Sequence, residues 1–315
     1  MSERPRPFNG YRTAVTDPDC FFGRAPIVKK IRANSTGVHV LLGGRRIGKT
    51  SLLRYLEWSL LEVSRPGAQP LPVLINLESW QPQSLDQFRY LMISRLREAI
   101  NRWREVEWRD VRKGYRRFLE IFPEAEISLP GFKGKLASAE KMSHEEFRRN
   151  LGETVAEMRA DFNGVVFLFD EAEYVVSQTW ADNAWSYLRG QKDTSDLSPY
   201  LGLVISGYRG VDEYQQKVGS ALRDIAVVTW LDVLSPRDAR SLMHARAAGE
   251  SVALTEDETE LLQEWSGNHP FLLQQMTSDL LDTRHCGRDF EIAKWRHRWL
   301  VDHHKRFLDW WNPEK

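Results

Sequence analysis

The chain has 315 residues, 42% of them hydrophobic and 28% charged, an ordinary globular composition with length for one large or two modest domains. Its 44 Lys and Arg balance 44 Asp and Glu, so no global field draws it to nucleic acid or an anionic membrane, although neutrality permits a local basic face. Two cysteines, Cys20 and Cys286, set aside a disulfide framework or a zinc site, and no run approaches the roughly 20 apolar residues of a membrane-spanning helix.

The polar, proline-bearing start, residues 1–10, has no apolar signal core, and a cytoplasmic setting without a membrane partner is expected. The first apolar run, residues 38–42, reads as a strand. It leads into Gly43-Gly44-Arg45-Arg46-Ile47-Gly48-Lys49-Thr50-Ser51, and residues 50–61 read as a helix. A second strand is expected over 72–77, then a long, mostly helical insertion from about 84 to 161 with a polar, glycine-bearing break at 127–139. Strands follow at 165–169, 201–205 and 226–230. Their near-continuous apolarity suits a parallel sheet covered on both faces, and helical segments between them predict crossover units. After Ser235-Pro236 the pattern is all-helical. This organisation predicts an α/β core over 1–234 and a helical region over 235–315.

Residues 43–50 match the phosphate-binding pattern G-x-x-x-x-G-K-[ST]. Its glycines let backbone N–H groups turn around a β-phosphate where side chains would collide. Lys49 reaches the β- and γ-phosphates and the Thr50 hydroxyl can ligand Mg²⁺, while the following helix points its positive end at the anion. ATP and Mg²⁺ are the expected ligands. The third long strand ends in Asp170-Glu171-Ala172-Glu173. Asp170 is placed to hold Mg²⁺ through water and Glu171 to orient or deprotonate an attacking water; Glu173 reads as facing solvent. Ser206, at the tip of the 201–205 strand, is a candidate sensor of the γ-phosphate or a turn residue.

With those residues in place, the chain resembles the STAND branch of AAA+-related P-loop ATPases. Asn9-Gly10-Tyr11, Asp17-Pro18 and Phe21-Phe22-Gly23-Arg24 resemble the family's lead-in ending in "FGR", and residues 44–53 are similar to its "GRRRIGKTSLL" form. Leu231-Asp232-Val233-Leu234-Ser235 resembles the approach to a C-terminal helical lid. Gly267-Asn268-His269-Pro270-Phe271-Leu272-Leu273 resembles "GNPFLL", with His269 an extra residue. The resemblance implies that Phe22, Gly23, Arg24 and Pro270 lie near the adenine. It also implies that an arginine ahead of the last strand, Arg223, is directed at a neighbour's γ-phosphate, with Arg209 the competing candidate.

Basic and aromatic residues interleave at Arg102-Trp103-Arg104, Trp108-Arg109, Arg112-Lys113 and Tyr115-Arg116-Arg117, with Glu98, Glu105, Glu107 and Asp110 among them. That dilution favours a protein-docking face over nucleic acid. The tail from Trp295 to Trp311 is likewise rich in Trp, Arg and His, without metal-ligand spacing. The expected function is an ATP-hydrolysing switch that changes shape or forms a homo-oligomer, or engages a partner protein, in a signalling, defence or mobile-element system. The alternatives are a non-hydrolysing nucleotide scaffold and a DNA-associated ATPase.

Overall fold

The computed structural model describes residues 14–15, 17–62, 67–106, 114–115, 117, 141–194, 196–285 and 292–311. They divide into two compact units, one covering 14–232 and the other beginning at residue 233.

In the first unit, strands β1 (Val38–Leu42), β2 (Leu71–Asn76), β3 (Val165–Asp170), β4 (Leu201–Gly207) and β5 (Ala226–Trp230) form one parallel sheet in the order β2-β3-β4-β1-β5. The crossovers include helices α1 (Ala25–Ala33), α2 (Lys49–Leu61), α3 (Leu77–Trp80), α4 (Leu85–Glu105), α5 (His144–Met158), α6 (Glu173–Val176), α7 (Ala181–Thr194) and α8 (Arg209–Gln216). Side chains alternate across a strand, so each strand feeds two cores. Val38, Val40 and Leu42 join Val165, Phe167, Phe169, Leu203 and Ile205 on one face, which α4, α5 and α7 cover. Leu41, Val166, Leu168 and Val204 lie on the other, under Val28 and Ile31 of α1 and Leu52, Leu53, Leu56 and Leu60 of α2. Both faces are dry, which is why these strands read as unbroken apolar runs.

Two boundaries differ from the sequence reading for local reasons. β2 stops at Asn76, because the Asn76 side chain accepts a hydrogen bond from Ser79 N at 2.8 Å and caps α3, so Leu77 is helical. β4 continues through Ser206 and Gly207, since Leu41 and Leu42 of β1 pair with them. Of the insertion, α4 and α5 are described. Ser84 caps α4, and Ser143 with Glu146 forms a reciprocal capping box on α5. The break expected at 127–139 lies outside the described residues.

The second unit holds α9 (Pro236–Gly249), α10 (Glu256–Ser266), α11 (Pro270–His285) and α12 (Ile292–Trp311). Gly267 and Asn268 both take left-handed backbone, with φ of 55° and 58°, which ends α10 and turns the chain into α11. Asn268 O accepts from Leu234 N at 3.0 Å, tying this turn to the segment ahead of α9. On α12, Trp295 and Trp299 are buried, and the Trp299 indole donates to Asp279 Oδ2 at 2.8 Å. Among the described residues no helix is long and apolar enough to cross a membrane.

Candidate functional site

The site forms where the C-terminal ends of β1, β3 and β4 meet the start of α2. The loop from Gly43 to Gly48 leaves β1 and enters α2 at Lys49. Gly48 has a φ of 96°, a conformation that L side chains rarely adopt, which accounts for a glycine directly before the lysine. Gly43 N donates to Gly207 O at 3.2 Å and so fastens the loop to β4. Ile47 is buried in the core beneath α2, whereas Arg45 and Arg46 are exposed. The Lys49 ammonium donates to Gly43 O at 2.9 Å and Gly44 O at 3.2 Å, so it lies across the loop it belongs to.

Sheet register brings the acidic end of β3 to this loop. Val165 to Phe169 pair with Leu201 to Ile205, and continuing that ladder sets Asp170 opposite Ser206. Both side chains fall on the face that α2 covers, the face of Leu168 and Val204. Ser206 Oγ donates to Asp170 Oδ1 at 2.6 Å, and Thr50 Oγ1 donates to Asp170 Oδ2 at 2.7 Å. The carboxylate is 1% exposed. No lysine or arginine among the described residues forms an ion pair with it. A buried carboxylate held only by two neutral hydroxyls is costly unless a cation joins it, and its hard oxygen donors fit a magnesium ion.

Glu171 follows with a φ of 52°. Burial, and next the Asp170 charge, raise its pKa to about 7; Glu173 and Glu78 push the same way and Lys49 opposes them. A carboxyl poised near neutrality is suited to exchanging a proton with a water. Glu78 was not among the residues anticipated. Its sequence position, just past the apolar run of β2, carries no signal of that proximity.

Neither a protein-family model nor any curated protein matches the sequence. Solved structures do share its architecture. The Walker-type ATPase PABY2304 of Pyrococcus abyssi aligns with a TM-score of 0.60 at 19% identity, covering 94% of this chain and 76% of its own. The ORC1 protein of Aeropyrum pernix, solved in complex with DNA, aligns with a TM-score of 0.51 at 11% identity over 90% of this chain and 67% of its own. The ORC2 protein of the same organism, in ADPNP–ADP complexes, gives 0.51 at 14% identity over 85% and 64%. The chain has the fold of AAA+-related P-loop ATPases.

Within this P-loop ATPase fold the lead-in segment is fastened to α2. Val15 N donates to Ser51 Oγ at 3.0 Å, and Phe21 stacks on Tyr55 with ring centroids 4.4 Å apart. Phe22 and Gly23 are partly exposed beside it; Asn9, Gly10 and Tyr11 lie outside the described residues. Arg24 takes left-handed backbone, and its guanidinium donates to Ile47 O of the phosphate loop at 3.4 Å and to Asp232 O. Its side chain is thus engaged with main-chain carbonyls of the core.

Arg223 is exposed and lies in the turn before β5, not on a helix face. Arg209, also exposed, opens α8, with its guanidinium 5.4 Å from the centre of the Tyr208 ring. Pro270 opens α11 in the second unit. Glu173, read as facing solvent, is instead drawn against the end of β4: its Oε1 accepts from Tyr208 N.

Proposed function

We propose that this protein binds ATP with magnesium through the 43–51 loop and hydrolyses it, using the nucleotide to switch conformation or assembly. The observation that carries the reading is the hydrogen-bonded set Thr50–Asp170–Ser206, joining the start of α2, β3 and β4 at one point beside Glu171, whose pKa is raised to about 7. Lys49 moves from the loop carbonyls onto the β- and γ-phosphates. Thr50 and Asp170 would hold a magnesium ion, which would offset charge on the phosphates. Glu171 takes the proton of the attacking water, and Ser206 hydrogen-bonds at the γ-phosphate while keeping Asp170 in place. The "FGR" and "GNHPFLL" resemblance to STAND ATPases points the switch toward a signalling, defence or mobile-element system.

Protein is favoured over duplex DNA as the partner of the insertion. The ORC1 neighbour was solved with DNA, but here Arg102 and Tyr115 are buried and Trp103 packs edge-on against Phe162 at 4.9 Å. Those members of the basic-aromatic pattern face inward. Arg223, exposed ahead of β5, is the arginine we assign to a neighbouring subunit's γ-phosphate.

One set of variants tests the reading. Lys49→Ala should abolish ATP binding by calorimetry with an unchanged melting curve. Glu171→Gln should bind ATP and hydrolyse it about 10²–10⁴ times more slowly, the usual contribution of a positioned base. Arg223→Ala should bind ATP yet lose any rise of turnover per subunit with protein concentration. Unchanged affinity in a folded Lys49→Ala protein would sink the site. Equal turnover by wild type and Glu171→Gln would remove Glu171 as the base. Strictly linear turnover by the wild type would remove the shared site.

A further inference from the structure

One peptide link and one carboxylate hold the tip of β4 to the segment after β3. Ala172 N donates to Ser206 O at 3.0 Å. One helical position on, Glu173 reaches the same tip and accepts from Tyr208 N. The backbone there needs holding, because Tyr208 has φ −133° and ψ −130°, neither strand nor helix, between the end of β4 and the start of α8.

The surroundings are shaped to that carboxylate. A Cβ on Gly207 would stand 2.8 Å from Glu173 Oε1 and 2.3 Å from Val211 Cγ2, and a Cβ on Gly210 would stand 3.6 Å from Glu173 Cγ. The lack of a side chain at Gly207 thus makes room for the carboxylate, whereas a Cβ at Gly210 would be in ordinary contact with Glu173 Cγ. Its second oxygen, Oε2, is buried with no hydrogen-bond partner among the described residues. Leaving such an atom unsatisfied costs about 1–3 kcal/mol, which the single bond to Tyr208 N must offset.

We propose that Glu173 is the positioning residue for Ser206: by pinning Tyr208 N it fixes the end of β4, and so keeps the Ser206 hydroxyl on Asp170 and pointed at the phosphate site. The proposal rests on the ATPase reading above, with Ser206 as its sensor. A serine hydroxyl 2.6 Å from Asp170 loses that contact with a displacement of about 1 Å, and misplacement on that scale costs about 10² in rate. Glu173 touches no substrate in this scheme. Its charge also helps raise the Glu171 pKa, but Ala and Gln both remove that charge, so the loss that Gln restores belongs to the contact with Tyr208 N.

The test compares Glu173→Ala and Glu173→Gln, the second keeping an acceptor at Oε1. With ATP and magnesium, Glu173→Ala should lose 10–100-fold in kcat with KM for ATP within about threefold of wild type, and Glu173→Gln should restore most of the loss. Hydrogen exchange at the Tyr208 amide should quicken in the Ala variant and match wild type in the Gln variant. That readout holds even if the wild type fails to hydrolyse ATP, an outcome that would remove the ATPase reading and leave the positioning role to be judged by exchange alone. Undiminished kcat in Glu173→Ala, a parallel fall of affinity and rate, no rescue by Gln, or unchanged Tyr208 exchange would each overturn the proposal.

Discussion

Arg24, Arg46 and Glu171 hold left-handed backbone, with φ of 66°, 58° and 52°, and all three border or belong to the phosphate site. Each costs about 1–2 kcal/mol relative to a right-handed residue, so the surrounding contacts must over-determine them. For Arg24 those contacts are the Ile47 and Asp232 carbonyls; for Glu171 the next residue is pinned by Ser206 O. Nothing in the sequence marks these positions, since arginine and glutamate carry no preference for positive φ. His39 on β1 is similar: it sits inside an apolar run, yet its Nε2 lies 2.8 Å from Asn34 O in the buried strand. Burial lowers its pKa from 6.5, Lys30 adds to this, and the Asn34 bond opposes it. The folded state therefore binds the proton less readily than the unfolded chain. Its contribution to stability is complete above about pH 6.5 and is lost as pH falls below that. Denaturant unfolding between pH 7 and pH 5 should show a shallower decline for His39→Gln than for wild type; equal slopes would count against His39 as a source of acid sensitivity.

Elements were the most legible level of this sequence. The strands could be read because a parallel sheet covered on both faces favours near-continuous apolar runs; the edge strand β5 is only partly buried but keeps the pattern. Some of their ends could not, where polar or small residues belong to the strand: Asp170 closes β3 opposite Ser206, to which it is hydrogen-bonded, and β4 runs on through Ser206 and Gly207 because both pair with β1. The loop over 43–48 was legible as a connection between a strand and a helix, because its glycines and lysine fall at a fixed spacing between two apolar elements. Glu173 was not, since its partner is a main-chain N–H 35 residues away. The insertion shows a different failure. Alternating basic and aromatic residues suggest an outer face, but Arg102 is buried and Trp103 meets Phe162, because a long arginine stem can line a core. Tyr115 is buried too, and its hydroxyl bonds Glu57 Oε2 at 3.0 Å and Arg54 O at 3.1 Å, both on α2. The insertion is thereby fastened to the helix that follows the phosphate loop. Tyr115→Phe should lower unfolding free energy by about 1 kcal/mol, the worth of a typical intramolecular hydrogen bond, with Glu57→Gln and the double variant completing a cycle. Strict additivity would mean that the hydroxyl and Glu57 do not stabilise one another.

At the scale of the whole molecule, the sheet order has a consequence for when the site comes into being. β1 pairs with β4 and β5 and with no other strand, while β2 pairs with β3. The loop strand is made early, but both of its neighbours lie beyond residue 200. Until β4 is made, a growing chain carries Lys49, Thr50, Asp170 and Glu171 without the strand that joins β1 to β3 in the sheet, and the closing contact must bridge over 150 residues of intervening chain. Such distant pairing is slow, because loop closure precedes its reward. A chain ending at residue 195 should therefore show no ATP binding by calorimetry although every charged residue of the loop and acidic pair is present, and tight binding by it would refute this order of events. On the ATPase reading proposed above, a product terminated before β4 would lack the strand that joins β1 to β3, and with it the means to hold a nucleotide.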